Sequence, residues 1–126
     1  MSKPENKNIE ERAEKIRSYL FHAQRFCTKE ELSAFLQCNE RIVRDCINHL
    51  RNKGFMIVSV SSQKGYRLLT QKDMSDEDAE LVKQMWCEID NRIKELESMK
   101  TVCIKYWNYR ENKLFNKRKL TEANNG

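Results

Sequence analysis

The sequence predicts a mainly α fold with a small β element: three short helices closed by a β-hairpin, followed by one long C-terminal helix. Three observations carry that prediction. Apolar residues recur at steps of three and four between Ile9 and Lys53, a run rich in β-branched side chains follows Gly54, and no glycine or proline occurs between Asp76 and Arg118. With 126 residues, 39% of them hydrophobic, and a single proline, the chain suits one small core plus an appendage rather than two independent domains.

Residues 1–8 are polar, contain Pro4 and lack periodic apolar positions, which predicts a mobile lead-in. From Ile9, the spacing of Ala13, Ile16, Tyr19, Leu20 and Ala23 predicts a first helix whose wet side carries Glu10, Glu11, Arg12 and Lys15. A second helix opens at Thr28-Lys29-Glu30-Glu31, where a hydroxyl three residues before a carboxylate suits a reciprocal capping box. Leu32, Phe35 and Leu36 share one side of it. Asn39 is placed to cap a third helix, Glu40 to Lys53, with Val43, Cys46, Ile47 and Leu50 on its core stripe and Gly54 as a left-handed stop. Residues 55–60 read as a strand, Ser61 to Gly65 as a polar tip in which Gly65 supplies a positive φ, and Tyr66 to Leu69 as the returning strand. In this order, residues 9–72 make a winged helix-turn-helix: two closely joined helices that cross steeply, then a hairpin wing.

The third helix has a second face. Arg41, Arg44, Asn48 and Arg51 recur at intervals of three and four and so form one ridge, with Asp45 beside it. The run Leu50-x-x-x-Gly54-Phe55-x-Ile57, followed by Gly65-Tyr66-x-Leu68, resembles the N-terminal winged helix of the biotin-repressor group and its DeoR-like relatives over about residues 9 to 70. The resemblance implies a transcription-regulating module whose third helix enters the major groove and whose wing touches the neighbouring backbone or minor groove. Carried onto this chain, it implies Arg41, Arg44, Asp45 and Asn48 as groove-facing residues and Gln63 and Lys64 as wing-tip contacts.

Composition narrows the class of function. The net charge of +5 is unevenly placed: residues 1–72 carry 14 Lys/Arg against 8 Asp/Glu, residues 73–100 carry 4 against 9, and residues 101–126 carry 6 against 2. A basic head is suited to phosphate and an acidic middle avoids it. The apolar residues are dispersed, with no run approaching the ~20 that a membrane span needs and no secretory leader, so a cytoplasmic, nucleoid-associated protein without a membrane partner is expected. Five cysteines, odd in number and without a C-x-x-C pair, predict free thiols. A metal site would need Cys46 and His49 joined by Cys38, Cys27 or His22. Cys46 lies on the apolar stripe, so a buried thiol is the better reading and no metal or cofactor is expected.

The C-terminal helical region is predicted over 73–120, with a disordered tail over 121–126. Ser75 caps it and Asp76-Glu77-Asp78 fill its first turn, where the helix dipole favours them. A single helix of 43 residues, roughly 65 Å, is permitted, with Thr101-Val102 as the natural place for a break. Ala79, Val82, Trp86, Ile89, Ile93 and Leu96 follow coiled-coil spacing, and Cys103 and Trp107 resume it after Lys100. Val82, Trp86, Ile89, Ile93, Leu96, Cys103 and Trp107 are the expected interface of a homodimer; the alternative is a helix folded back onto the first helix as extra core. Aromatic residues and cations interleave between Ile104 and Leu120, a pattern suited either to locking that dimer or to stacking on single-stranded nucleic acid.

No catalytic constellation or phosphate-cradling glycine loop is present, so an enzyme is not expected, and no small-molecule effector is evident. The expected function is sequence-specific binding of double-stranded DNA as a homodimer, in a transcriptional regulator or a phage or plasmid control protein. Arginine suits guanine edges and Asn48 suits adenine, while Lys29, Arg51, Lys53 and Lys64 would mainly hold phosphates. A two-fold dimer implies half-sites about one helical turn, ~34 Å, or a multiple apart. The alternatives are a protein-interaction module using the same scaffold within a replication or virion assembly and, more remotely, a redox or metal sensor through Cys38 and Cys46.

Overall fold

The structure, a computed structural model, describes residues 4–70 and 74–125. Four α-helices and one hairpin follow in the order α1 (Pro4–Ala23), α2 (Lys29–Leu36), α3 (Glu40–Asn52), β1 (Met56–Val60), β2 (Gln63–Leu69) and α4 (Asp76–Asn125). The chain is thus mainly helical, with one two-stranded antiparallel sheet. It divides into two units, residues 1–86 and 87–126. No described helix is long and apolar enough to cross a membrane.

Local chemistry explains most boundaries. Thr28 Oγ1 accepts from the Glu31 amide at 3.1 Å, Asn39 Oδ1 from the Ile42 amide at 2.9 Å and Ser75 Oγ from the Asp78 amide at 3.2 Å, so the three expected N-caps form. The helix α3 ends in a Schellman turn. Gly54, at φ +100, donates to the Arg51 carbonyl at 2.9 Å, and the Phe55 amide reaches the Leu50 carbonyl at 3.1 Å. The helix α2 ends the same way without glycine, as Gln37 adopts φ 53 and the Cys38 amide donates to the Ser33 carbonyl at 3.1 Å.

Several boundaries differ from the expectation. The helix α1 begins at Pro4, inside the predicted lead-in, since proline suits the first helical position, where the amide it lacks has no intrahelical partner. The helix α4 passes through Thr101-Val102 unbroken because the Thr101 hydroxyl donates to the Glu97 carbonyl at 2.9 Å and is satisfied within the helix. It also continues through Thr121 to Asn125, where a disordered tail is expected, and Thr121 repeats that bond to Lys117.

The hairpin departs most. Its turn is only Ser61-Ser62, with Val60 paired to Gln63, so Gln63 to Gly65 belong to β2 and not to a five-residue tip. Register shifts between Val58 and Val60, leaving Ser59 opposite Lys64, Gly65 and Tyr66. The cause is non-local: Tyr66 is drawn onto Cys27, each amide donating to the other's carbonyl at 2.8 Å. Gly65, at φ +97, is the residue that permits this approach. A Cβ there would stand 2.3 Å from the Cys27 carbonyl oxygen.

The core lies within residues 1–86. Ala13, Ile16 and Leu20 of α1 meet Leu32 of α2 and Val43, Cys46, Ile47 and Leu50 of α3, closed by Cys27 and by Ile57 and Leu68 of the hairpin. Phe35, expected beside Leu32, is instead 47% exposed and packs on the Tyr19 ring at 4.6 Å. The first turns of α4 are bonded to the hairpin. Arg67 pairs with Asp78 at 3.1 Å and the Ser62 hydroxyl donates to Gln84 at 3.1 Å.

Candidate nucleic-acid interface

The two faces of α3 are cleanly divided. Burial of Val43, Cys46, Ile47 and Leu50 fixes the helix azimuth, and Arg41, Arg44, Asp45 and Asn48 are consequently all exposed. Among the described residues no ion pair involves Arg41 or Arg44, so both guanidinium groups retain their donors for an external acceptor. Asp45 follows Arg44 directly and adds a carboxylate to the same exposed face.

Lys29 stands at the start of α2 and pairs with Glu40, the first residue of α3, at 3.5 Å; both side chains are about half exposed, so the pair opens at little cost. This places one further cation beside the Arg41 end of α3. Lys53 is exposed at the opposite end of that helix, where its charge helps to hold the Glu14 carboxyl of α1 below its usual range, after the larger effect of Arg17. Gln63 and Lys64 are exposed on the first two residues of β2. The loop tip expected to carry them is therefore a strand edge next to a bulge.

Arg51 is the correction. Periodicity assigns it to the outward ridge, yet its guanidinium turns inward to β1. Nε donates to the Ile57 carbonyl at 3.1 Å, and Nη2 donates to that carbonyl at 2.8 Å and to Ser59 Oγ at 2.9 Å. It also lies over the Tyr66 ring, 5.9 Å from the centroid, and burial pulls its pKa below the ordinary arginine value. A side chain so engaged ties α3 to the hairpin.

A second network escaped the sequence reading. Glu31 does not form the reciprocal half of the expected capping box alone; Arg25 donates to its two carboxylate oxygens at 3.0 and 2.6 Å, and the Tyr19 hydroxyl donates to it as well. Arg25 foremost, then Tyr19, push the Glu31 pKa down to about 2, with a smaller contribution from the Thr28 amide. Arg25 is correspondingly raised. No single helix or strand spans residues 19–31, so no periodic pattern pairs them.

The cysteines are all free thiols. Cys27 and Cys46 are buried, Cys38 is half-buried, and Cys87 and Cys103 are exposed. Burial pushes the Cys46 thiol up to about 11. Among the described residues no group of three or more His, Cys, Asp or Glu is placed to hold a metal ion.

The expected dimer residues separate into two groups. Val82 is half-buried and lines a groove with Phe55, Met56, Leu68 and Leu69 of its own unit. Trp86, Ile89, Ile93, Leu96 and Trp107 are 46–64% exposed, and Cys103 is exposed too.

No protein-family model, curated protein sequence or solved structure matches this chain.

Proposed function

We propose that residues 9–70 act as a winged helix-turn-helix of the biotin-repressor and DeoR-like kind, binding duplex DNA without catalysis and as a homodimer. The observation that carries this reading is the α3 face, on which Arg41, Arg44, Asp45 and Asn48 stand exposed along a helix whose other side is buried. A rod of this width fits the major groove, where arginine donates to guanine O6 and N7 and asparagine pairs with adenine, each bidentate contact contributing ~1–3 kcal/mol of discrimination. Lys29 and Lys53 flank that face and suit phosphates; Gln63 and Lys64 present the hairpin edge to the neighbouring backbone.

Selection of bound fragments from a random duplex pool, followed by titration of the selected sequence against random duplex, tests the reading. Arg44→Ala should weaken binding of the selected duplex by ~10-fold or more while altering random duplex little. Equal losses on both would reduce Arg44 to a phosphate contact, and no enrichment of any sequence would end the specific-binding reading. Lys64→Ala should reduce the dependence of affinity on salt by about one phosphate contact.

A second reading is favoured by one observation, the apolar face left exposed on residues 87–121. In it the same scaffold is a protein-interaction module, and the titration shows no duplex affinity even at low salt.

A further inference from the structure

In the unit formed by residues 87–126, α4 is one uninterrupted helix. Along it, Ile89, Ile93, Leu96, Lys100, Cys103, Trp107, Arg110 and Leu114 recur at alternating steps of four and three, the spacing of a two-helix seam. Ile89, Ile93, Leu96 and Trp107 are 46–58% exposed. Two of the eight positions are cations, and they decide which occupant fits. A second copy laid parallel places every seam residue against itself, so Lys100 meets Lys100 and Arg110 meets Arg110 where the helices are closest.

We propose that a second copy of this helix covers the seam in the antiparallel sense, with the two-fold axis passing between Thr101 and Val102. The inference rests on the homodimer of the preceding reading and not on its DNA contacts. In this register Lys100 faces Cys103 of the second copy, Leu96 faces Trp107, Ile93 faces Arg110 and Ile89 faces Leu114. Each seam cation then lies against an uncharged side chain, past which its long stem can carry the charge to water. The flanking charges agree. Residues 87–98 carry Glu88, Asp90, Glu95 and Glu97 against Arg92 and Lys94, whereas residues 105–116 carry Lys105, Arg110 and Lys113 against Glu111. The antiparallel register lays the acidic stretch on the basic one; the parallel register lays each on its own copy. Thr101, at the axis, is bonded within its own helix and demands no break there.

The test uses the full chain without DNA. Sedimentation should give a dimer, and Ile93→Asp should give a monomer; a monomeric wild type overturns the inference. Orientation is read by oxidising a mixture of two chains of different mass, one carrying Met99→Cys and the other Tyr106→Cys, both with Cys87→Ser and Cys103→Ser. These positions flank the seam and meet across it only when the helices run oppositely. The mixed disulfide should exceed both like-with-like products several-fold, and dominance of the like-with-like products overturns the antiparallel register. Spin labels on Lys113→Cys, beside the seam, in the same background give a second reading: about 35 Å between labels is expected, from twice their axial distance to the axis, and separations below about 20 Å would mean a parallel pair. An antiparallel dimer without duplex affinity leaves this inference standing and removes the DNA reading, so the two fail separately.

Discussion

Residues 1–86 and 87–126 use the same apolar spacing to opposite effect. On α3 the stripe Val43, Cys46, Ile47 and Leu50 is at most 2% exposed, because α1, α2 and the hairpin converge on it. On the second unit the equivalent stripe leaves Leu96 53% and Trp107 58% exposed, because nothing within that unit folds back to cover it. Period alone therefore locates an apolar face without saying what covers it. The covering element is set by topology, and none of the described residues of the second unit supplies one.

The largest effects should come from breaking the covered stripe. Leu50→Ala should destabilise the head by about 2–5 kcal/mol in chemical denaturation, through lost transfer energy and the cavity left behind. Leu96→Ala should leave that transition unchanged and weaken self-association instead; equal losses of head stability would erase the distinction between the units.

Next come the two glycines with positive φ. Gly65→Ala should cost about 2–4 kcal/mol, since backbone strain adds to a collision with Cys27, whereas Gly54→Ala meets open space and should cost only about 1 kcal/mol. Similar losses at both would mean that the Cys27–Tyr66 bridge contributes little. Arg51→Ala should then lower head stability by about 1–3 kcal/mol, having removed bonds to Ile57 and Ser59. Unchanged stability with lost duplex affinity would return Arg51 to the phosphate-contact set.

The smallest effect concerns acid. The Glu31 pKa lies near 2 in the fold against an ordinary 4.5, so the carboxylate contributes stability that is full above pH 4.5 and is lost as pH falls toward 2. Arg25→Ala should be slightly less stable than the parent at neutral pH, and thermal unfolding should show that gap closing between pH 4.5 and 2. A gap constant through that range would detach Arg25 from Glu31.

Much of this architecture was legible in the sequence because its causes are local. The Thr28, Asn39 and Ser75 caps, the Gly54 stop and the burial of the α3 stripe each depend on residues within a turn or two. What sequence reading missed has distant causes. Gly65 reads as a loop residue, and only the pull of Tyr66 toward Cys27, 39 positions away, makes it a bulge. Arg51 falls on the outward ridge by angle, but its side chain is long enough to reach β1, which no helical wheel represents. The start at Pro4 escaped because that first turn has no apolar periodicity to announce it. The outward face of α3 was readable as a set of exposed positions; what binds there and what covers α4 are not written in periodicity.

The hairpin is held along both margins, by Arg51 from α3 and by Cys27 from the segment before α2. In the proposed reading it would meet the duplex as one arm of a caliper already set. The entropy of setting the jaw is spent when the chain folds, so engagement should proceed with little loop ordering, and severing either clasp would slacken the grip before it altered what is gripped.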